Sequence, residues 1–364
     1  MTYDAILIVS FGGPEGREDV IPFLENVLRG KNVPRERMLQ VAEHYYHFGG
    51  KSPINDQNRA LIAALDRELK AHGLSMPIYW GNRNWHPLLA DTVRQMRADG
   101  IRRTLAFATS AFGSYSGCRH YREDIERAQA EAGPGAPEIH KLRTFHNHPG
   151  FVEAAADRVR QALEQLPVER RDAAPIAFTA HSIPLSMAIA SPYVAQLEES
   201  CQLVCQMLGR PAGALVYQSR SGPSTQPWLE PDICDYVRQL HSEGCTALVV
   251  APIGFLSDHM EVVYDLDTEV AELCRELGIN LCRAPTVGAH PAFVVAMIRE
   301  LILERTAHGK RRALGANGPG SDFCAADCCQ NPSRPKSYSI ETGLASGSER
   351  GEAKPKESTA YGPR

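Results

Sequence analysis

The stretch S-D-H-M-E-V-V-Y-D-L-D-T-E at 257–269 places Glu261, Asp265 and Glu269 at i, i+4 and i+8, a spacing that lines three carboxylates along one helical face. In an average helix such a file is simply a solvated acidic surface. Here the helix follows directly on a buried apolar run, so its first turn meets the strand end, where Asp258 and His259 crowd beside Glu261. Carboxylates leading towards a neutral imidazole suit a hard-to-borderline divalent cation that sheds its water in steps. A second group is F-T-A-H-S-I-P at 178–184, where an apolar run ends in His181. The imidazole is expected at the carboxyl edge of a sheet, either bonded quietly in its loop or working as a base. His181 and Glu261 are expected at equivalent strand ends on different halves of the chain, facing one another across a cleft. Such a pair can strip protons from a ligand or hold a metal briefly, and it falls short of the three or four ligands of a permanent zinc site.

Near the end of the chain, S-D-F-C-A-A-D-C-C-Q-N-P at 321–332 gathers Cys324, Cys328 and Cys329. Three thiols are one short of a four-thiolate metal site and one more than a single disulfide uses. Several turns are rich in small and aromatic residues: S-F-G-G-P at 10–14, H-Y-Y-H-F-G-G-K-S-P-I-N at 44–55, G-N-R-N-W at 81–85, S-Y-S-G-C-R-H-Y-R at 114–122 and Q-S-R-S-G-P at 218–223. Tyr45, Trp85 and Tyr121 could flank a flat apolar ligand, and Arg119, Arg122 and Arg220 could pair with its carboxylates.

The elements that must position these groups are legible as alternation. Apolar runs at 5–11, 77–80, 104–110, 175–180, 214–218 and 247–253 read as strands buried on both faces of a parallel sheet. Between them, 55–72, 150–166, 193–209 and 263–277 carry helical spacing and charged faces. The alternation predicts a doubly wound α/β architecture. The stretches 101–125 and 245–267 follow one plan, a strand, a small-residue turn with a Phe, then a helix with polar groups at its start, which suggests two similar halves at 1–150 and 151–310. Ligands in such sheets sit beyond the carboxyl ends of the strands. No G-x-G-x-x-G opens a helix after the first strand, so there is no dinucleotide fingerprint. From about residue 309 the composition shifts to Gly, Ser, Lys, Pro and Glu, giving a Cys-bearing extension at 311–332 and a segment at 333–364 expected to be disordered.

With 364 residues the chain can bury a large core without staples. Lys plus Arg number 39 against 43 for Asp plus Glu, which gives no electrostatic case for a nucleic-acid partner. No signal peptide is evident and no apolar run approaches the roughly 18 to 20 residues of a membrane span. The expectation is a cytoplasmic protein without an integral membrane segment. Seven of the ten cysteines are scattered singly, which in a reducing compartment favours buried thiols and metal ligands over bridges.

Taken together, S-F-G-G-P, F-G-G-K-S-P-I-N, G-N-R-N-W, F-T-A-H-S-I-P, Y-Q-S-R-S-G-P and P-I-G-F-L-S-D-H-M-E-V-V-Y-D-L-D, in this order over residues 3–308, resemble the ferrochelatase family. The Cys-bearing extension is similar to that of actinobacterial coproporphyrin III ferrochelatases. The resemblance implies a type II chelatase fold of two Rossmann-like halves, and insertion of Fe²⁺ into a porphyrin. It implies iron binding and pyrrole deprotonation at His181 and Glu261, and a metal path at Asp265 and Glu269. It implies porphyrin contacts at Ser52 and Tyr121, with His44 and Tyr45 where some bacterial members have an Arg-Tyr pair, and Phe11 where several relatives carry a tyrosine. It further implies a [2Fe-2S] cluster on Cys324, Cys328 and Cys329, with Cys118 as fourth thiolate. Coproporphyrin III is the expected substrate and a monomer the expected state. The alternatives are a protoporphyrin IX ferrochelatase, a cobalt or nickel tetrapyrrole chelatase, a haem-binding carrier and an iron–sulfur electron carrier.

Overall fold

The run A-I-L-I-V-S forms β1 (Ala5–Ser10), buried at every position, as a central parallel strand covered on both faces must be. In the computed structural model, which describes residues 2–332 apart from 223–224 and 291–293, β1 lies between β2 (Ile78–Asn82) and β3 (Arg103–Ala108), with β4 (Glu138–Lys141) outside β3. The order is β2-β1-β3-β4 and every pairing is parallel. A second sheet repeats it: β5 (Ile176–His181), β6 (Ala214–Gln218), β7 (Ala247–Ala251) and β8 (Asn280–Arg283) run parallel in the order β6-β5-β7-β8. Two sheets of one topology meet the expectation of an α/β fold with two similar halves. The expected segment 333–364 lies outside the described residues.

One core joins the sheets. Ile6, Ile8 and Phe107 of the first, Phe178 and Val249 of the second, and Phe145 and Phe151 from the connection between them belong to a single buried cluster. The helix Pro149–Gln165 enters that core directly: Pro149 takes the first helical turn, where no N–H is needed, and His148 Nδ1 accepts from Gly150 N at 3.1 Å. Truncating the fully buried Phe151 to Ala is worth about 3–5 kcal/mol. The outer faces carry their own helices, with Val237, Val262 and Leu266 on the second sheet and Val93 and Ile125 on the first.

Two wide turns sit at equivalent places, after the third strand in each half. A π-helical turn at Tyr115–Arg119 leads into the helix His120–Ala132. Another at Asp265–Val270 separates Met260–Tyr264 from Ala271–Glu276, so the helix expected over 263–277 is rewound in its middle. Such turns re-aim side chains and concentrate at functional sites.

Beyond the helix Val294–Thr306 the extension lies along the connection between β4 and Pro149. Leu314 N donates to Asn147 O at 2.8 Å, Asn147 Nδ2 to Gly318 O at 2.8 Å and Arg143 Nη2 to Arg312 O at 2.9 Å. Beneath it, Arg143 and Glu304 form a doubly hydrogen-bonded pair, 2.8 Å on both arms and almost wholly buried.

Candidate functional site

His181 ends β5, paired with Gln218 at the end of β6. Its Nδ1 lies 2.5 Å from Ser182 O. A carbonyl can only accept, so Nδ1 carries the hydrogen and Nε2 is the nitrogen left to take up or release a proton. Tyr193 donates its hydroxyl to His181 O at 3.1 Å and fixes the strand end. Glu261, in the first turn after β7, brings Oε2 to 3.7 Å from His181 Nε2 and to 3.8 Å from His259 Nδ1. The pairing differs in origin from the expectation. Both residues come from neighbouring strand ends of the second sheet, so they stand side by side on one wall rather than opposed across the halves.

The carboxylate file continues along the rewound helix. Ser219 donates to Asp265 Oδ2, and Gln218 Nε2 reaches the same oxygen at 3.2 Å and Glu261 O at 3.3 Å. Burial pushes the Asp265 carboxyl up to about 7, with repulsion from Glu261 and Glu269 adding to it and the two hydrogen bonds opposing it. Glu269 is also raised, mainly by burial and then by Asp232 and Glu272. Burial lowers the His259 imidazole and favours its neutral form. Asp258 is engaged elsewhere: its carboxylate takes Arg283 Nη1 at 2.9 Å and Gln57 Nε2 at 3.2 Å, so it acts as a strut and not as a member of the file.

The turn S-F-G-G-P supplies the facing region. Gly12 sits at φ +80°, and a Cβ there would stand 2.8 Å from Asn82 Cβ, so only glycine lets this turn close on β2. Ser52 is buried behind it, donating its N–H to Pro14 O at 2.9 Å. Phe11 packs edge-on against Phe23. Arg83 lies over both the Phe11 and Tyr121 rings and pairs with the buried Asp124 at 2.5 Å. Tyr45 is buried against Phe23, and burial pushes its phenol far up. His44 is stacked flat on Tyr264, centroids 3.6 Å apart and planes 4° off parallel, which covers one face of its imidazole.

A cavity of about 480 Å³ lies away from this pair and is lined by Cys118, Cys324, Cys328 and Cys329 together with Lys141 and Arg122. Cys118 comes from the first π turn; its thiol is held well below its ordinary value by hydrogen bonding from Cys324, reinforced by Lys141 and Arg122. Burial pushes Cys329 up to about 12, and the neighbouring sulfurs add to it. Arg119 and Arg122, expected to meet ligand carboxylates, do something else. Arg119 Nη1 donates to Ala326 O at 2.6 Å and Cys328 O at 3.0 Å, and Arg122 Nη2 to Ala326 O at 3.3 Å, so both hold the Cys-bearing segment in place. Arg220 lines a separate cavity with Asp232 and Asp235. All ten cysteines are free. Among the described residues no three His, Cys, Asp or Glu side chains are gathered tightly enough to hold a single metal ion.

Arg83, Gln218 and Ser219 lie in turns whose composition stands out in the sequence, but their roles depend on long-range partners that no local pattern shows. His259 was noticed only as a neighbour of Glu261.

The chain is similar to known proteins over most of its length. The family profile Ferrochelatase matches residues 3–306. A protein of Rhodopirellula baltica named ferrochelatase is 56% identical over 339 residues, covering 92% of this chain and 95% of that one. The coproporphyrin III ferrochelatase of Streptomyces coelicolor is 50% identical, covering 90% and 93%, and that of Nocardia farcinica 49%, covering 92% and 99%. Among solved structures, SirB from Bacillus subtilis with Fe³⁺ superposes with a TM-score of 0.52 at 14% identity, covering 84% of this chain and 98% of that one, a likeness of fold. The chain belongs to the ferrochelatase family.

Proposed function

We propose that this member of the ferrochelatase family inserts Fe²⁺ into coproporphyrin III in haem synthesis, with His181 and Glu261 as the reacting pair. The observation that carries the reading is the commitment of His181 Nδ1–H to Ser182 O, which leaves Nε2 to take up or release a proton beside Glu261 Oε2. A porphyrin offers two N–H groups and two imine nitrogens in a rigid plane, so clamping it in a saddled shape exposes the lone pairs. His181 Nε2 accepts one pyrrole proton, and Glu261 is placed to stabilise the imidazolium or hold the incoming ion. Two protons leave as one Fe²⁺ enters, so charge balances without a redox step. Glu269 and Asp265 form the metal path, an ordered run of oxygen donors that replaces water in steps.

Phe11, Ser52, Tyr121, His44 and Tyr45 form the porphyrin side of the cleft. The preference for coproporphyrin III rests on the two relatives so named at about half identity. Cys118, Cys324, Cys328 and Cys329 would hold a [2Fe-2S] cluster. Four thiols on one cavity, one of them favoured as thiolate, are the donor set such a cluster takes, and two irons spread that set wider than one ion does. When bound, the cluster supplies one-electron redox capacity; the chain's own part is to bring the extension onto Cys118. Ten free thiols fit a reducing, cytoplasmic setting. We divide the chain into halves at 1–150 and 151–310 and an extension at 311–332.

The test is kcat/KM for coproporphyrin III against protoporphyrin IX with purified protein; equal or reversed preference overturns the substrate. Undiminished insertion by His181→Ala and Glu261→Ala overturns the site. Iron-to-sulfide stoichiometry and visible absorption of wild type and Cys118→Ser test the cluster, and an unchanged spectrum in the variant rejects Cys118.

A further inference from the structure

We infer that Lys141 is a positioning residue for the thiolate quartet, placing one unpaired positive charge against it and so raising the reduction potential of the cluster it holds. The inference rests on the cluster reading given above and goes beyond it to a residue outside the ligand set.

Lys141 is the last residue of the edge strand β4, in register with Ala106 of β3, so its side chain leaves the carboxyl end of the sheet where the first π turn begins. It lines the cavity that Cys118, Cys324, Cys328 and Cys329 share. Its ammonium donates to Leu142 O at 3.0 Å. An ammonium has three donors, and those not spent on Leu142 O are left for the cavity that Cys118 also lines. Arg305, which also lines the cavity, faces Asp322 at 3.9 Å, and the guanidiniums of Arg122, on the lining, and of Arg119, beside it, are occupied by the Cys-bearing segment. Arg119 is paired with Glu123 at 3.1 Å and spends its Nη1 on the carbonyls of Ala326 and Cys328. Arg122 faces Glu126 at 3.6 Å and bonds the carbonyls of Ala325 and Ala326. Those guanidiniums fix the segment, and a carboxylate beside each offsets its charge. Among the described residues Lys141 forms no ion pair, and the carboxylates that line the cavity, Glu126 and Asp322, are paired with Arg122 and with Arg305 and Arg311, so its charge is left for the sulfurs.

The consequence follows from charge. A [2Fe-2S] centre with two ferric irons and four thiolates carries a net charge of −2; one electron from an external reductant converts one Fe³⁺ to Fe²⁺ and makes it −3. A fixed cation stabilises the more negative state more, and hydrogen bonds to the sulfurs act in the same sense. In a partly buried site that interaction is only weakly screened.

The experiment is an EPR-monitored reductive titration of the purified, cluster-loaded full-length protein with dithionite, after iron and sulfide analysis of the wild type. Without a cluster in the wild type the reading beneath this inference fails, and the inference with it. With the cluster present, Lys141→Gln is expected to lower the ratio of reduced to oxidised cluster about tenfold at the wild-type midpoint, a shift of about 59 mV to more negative potential. Lys141→Arg, which keeps the charge, is expected to restore the wild-type midpoint. A midpoint unchanged in Lys141→Gln overturns the inference. If Lys141→Gln and Lys141→Met both assemble no cluster while Lys141→Arg does, charge at this position is needed to hold the quartet, which supports it. If all three lose the cluster, the residue is structural and the inference is overturned.

Discussion

Replacing Asp265 by Asn separates the electrostatic cost of the carboxylate file from its geometry. Asp265 Oδ2 already accepts from Ser219 and Gln218, and the amide oxygen of Asn can accept the same two bonds, so the local structure is conserved. The difference lies in charge. Burial and the neighbouring carboxylates hold this group near 7 in the folded protein, against an ordinary 3.8. A carboxyl with a raised folded pKa binds its proton more tightly in the native state. The native state therefore carries more protons across that window, and stability falls as pH rises through it. The full separation corresponds to about 4 kcal/mol, and relaxation of a site that still touches solvent reduces the expected effect to about 2 kcal/mol. Urea unfolding of the apo protein at about pH 5 and about pH 8.5 reads it, since titrating groups remote from the carboxylate file cancel in the comparison of wild type with Asp265→Asn. The window opens at the ordinary 3.8, so part of the effect is already present at the lower pH, and the advantage of Asp265→Asn over wild type is expected to widen by about 1 kcal/mol from the lower pH to the higher. A difference that stays constant between the two pH values would refute the reasoning, because it would mean that Asp265 is ionised throughout.

His181→Ala is expected to lower metal insertion by about a hundredfold or more while porphyrin affinity, followed by fluorescence quenching, changes little. Glu304→Gln leaves the buried Arg143 guanidinium without its counter-charge, and thermal unfolding should show a loss of about 3–5 kcal/mol. Gly12→Ala, forced to φ +80° and against Asn82, should cost about 1–3 kcal/mol and raise the porphyrin KM through movement of Phe11. Arg119→Ala removes the bonds to Ala326 and Cys328; limited proteolysis of the apo protein should cut within 320–332 about tenfold faster.

What was legible in the sequence depended on how locally each feature is determined. Of the six strands read from apolar runs, β1, β3, β5 and β7 are interior and buried at all or all but one position, while β2 and β6 keep an apolar run at a sheet edge. β4 and β8, E-I-H-K and N-L-C-R, are short, half-exposed edge strands, and their pairing is visible only once β3 and β7 are in place. The spacing of Glu261, Asp265 and Glu269 announced a file of carboxylates, yet nothing in the residues announced the π turn that starts at Asp265, because winding of this kind is set by packing on β7 and by the grip of Gln218 and Ser219. The arginines show the limit most directly. Arg119 and Arg122 are polar residues in a promising turn, and a carboxylated ligand was a sound reading of their chemistry. Their partners are main-chain carbonyls some two hundred positions away. Those bonds help to bring Cys324, Cys328 and Cys329 to Cys118, so the π turn serves the fold twice. Its last residues, Cys118 and Arg119, meet the Cys-bearing segment, while Tyr121 and Asp124, in the helix that follows, hold Arg83 against Phe11.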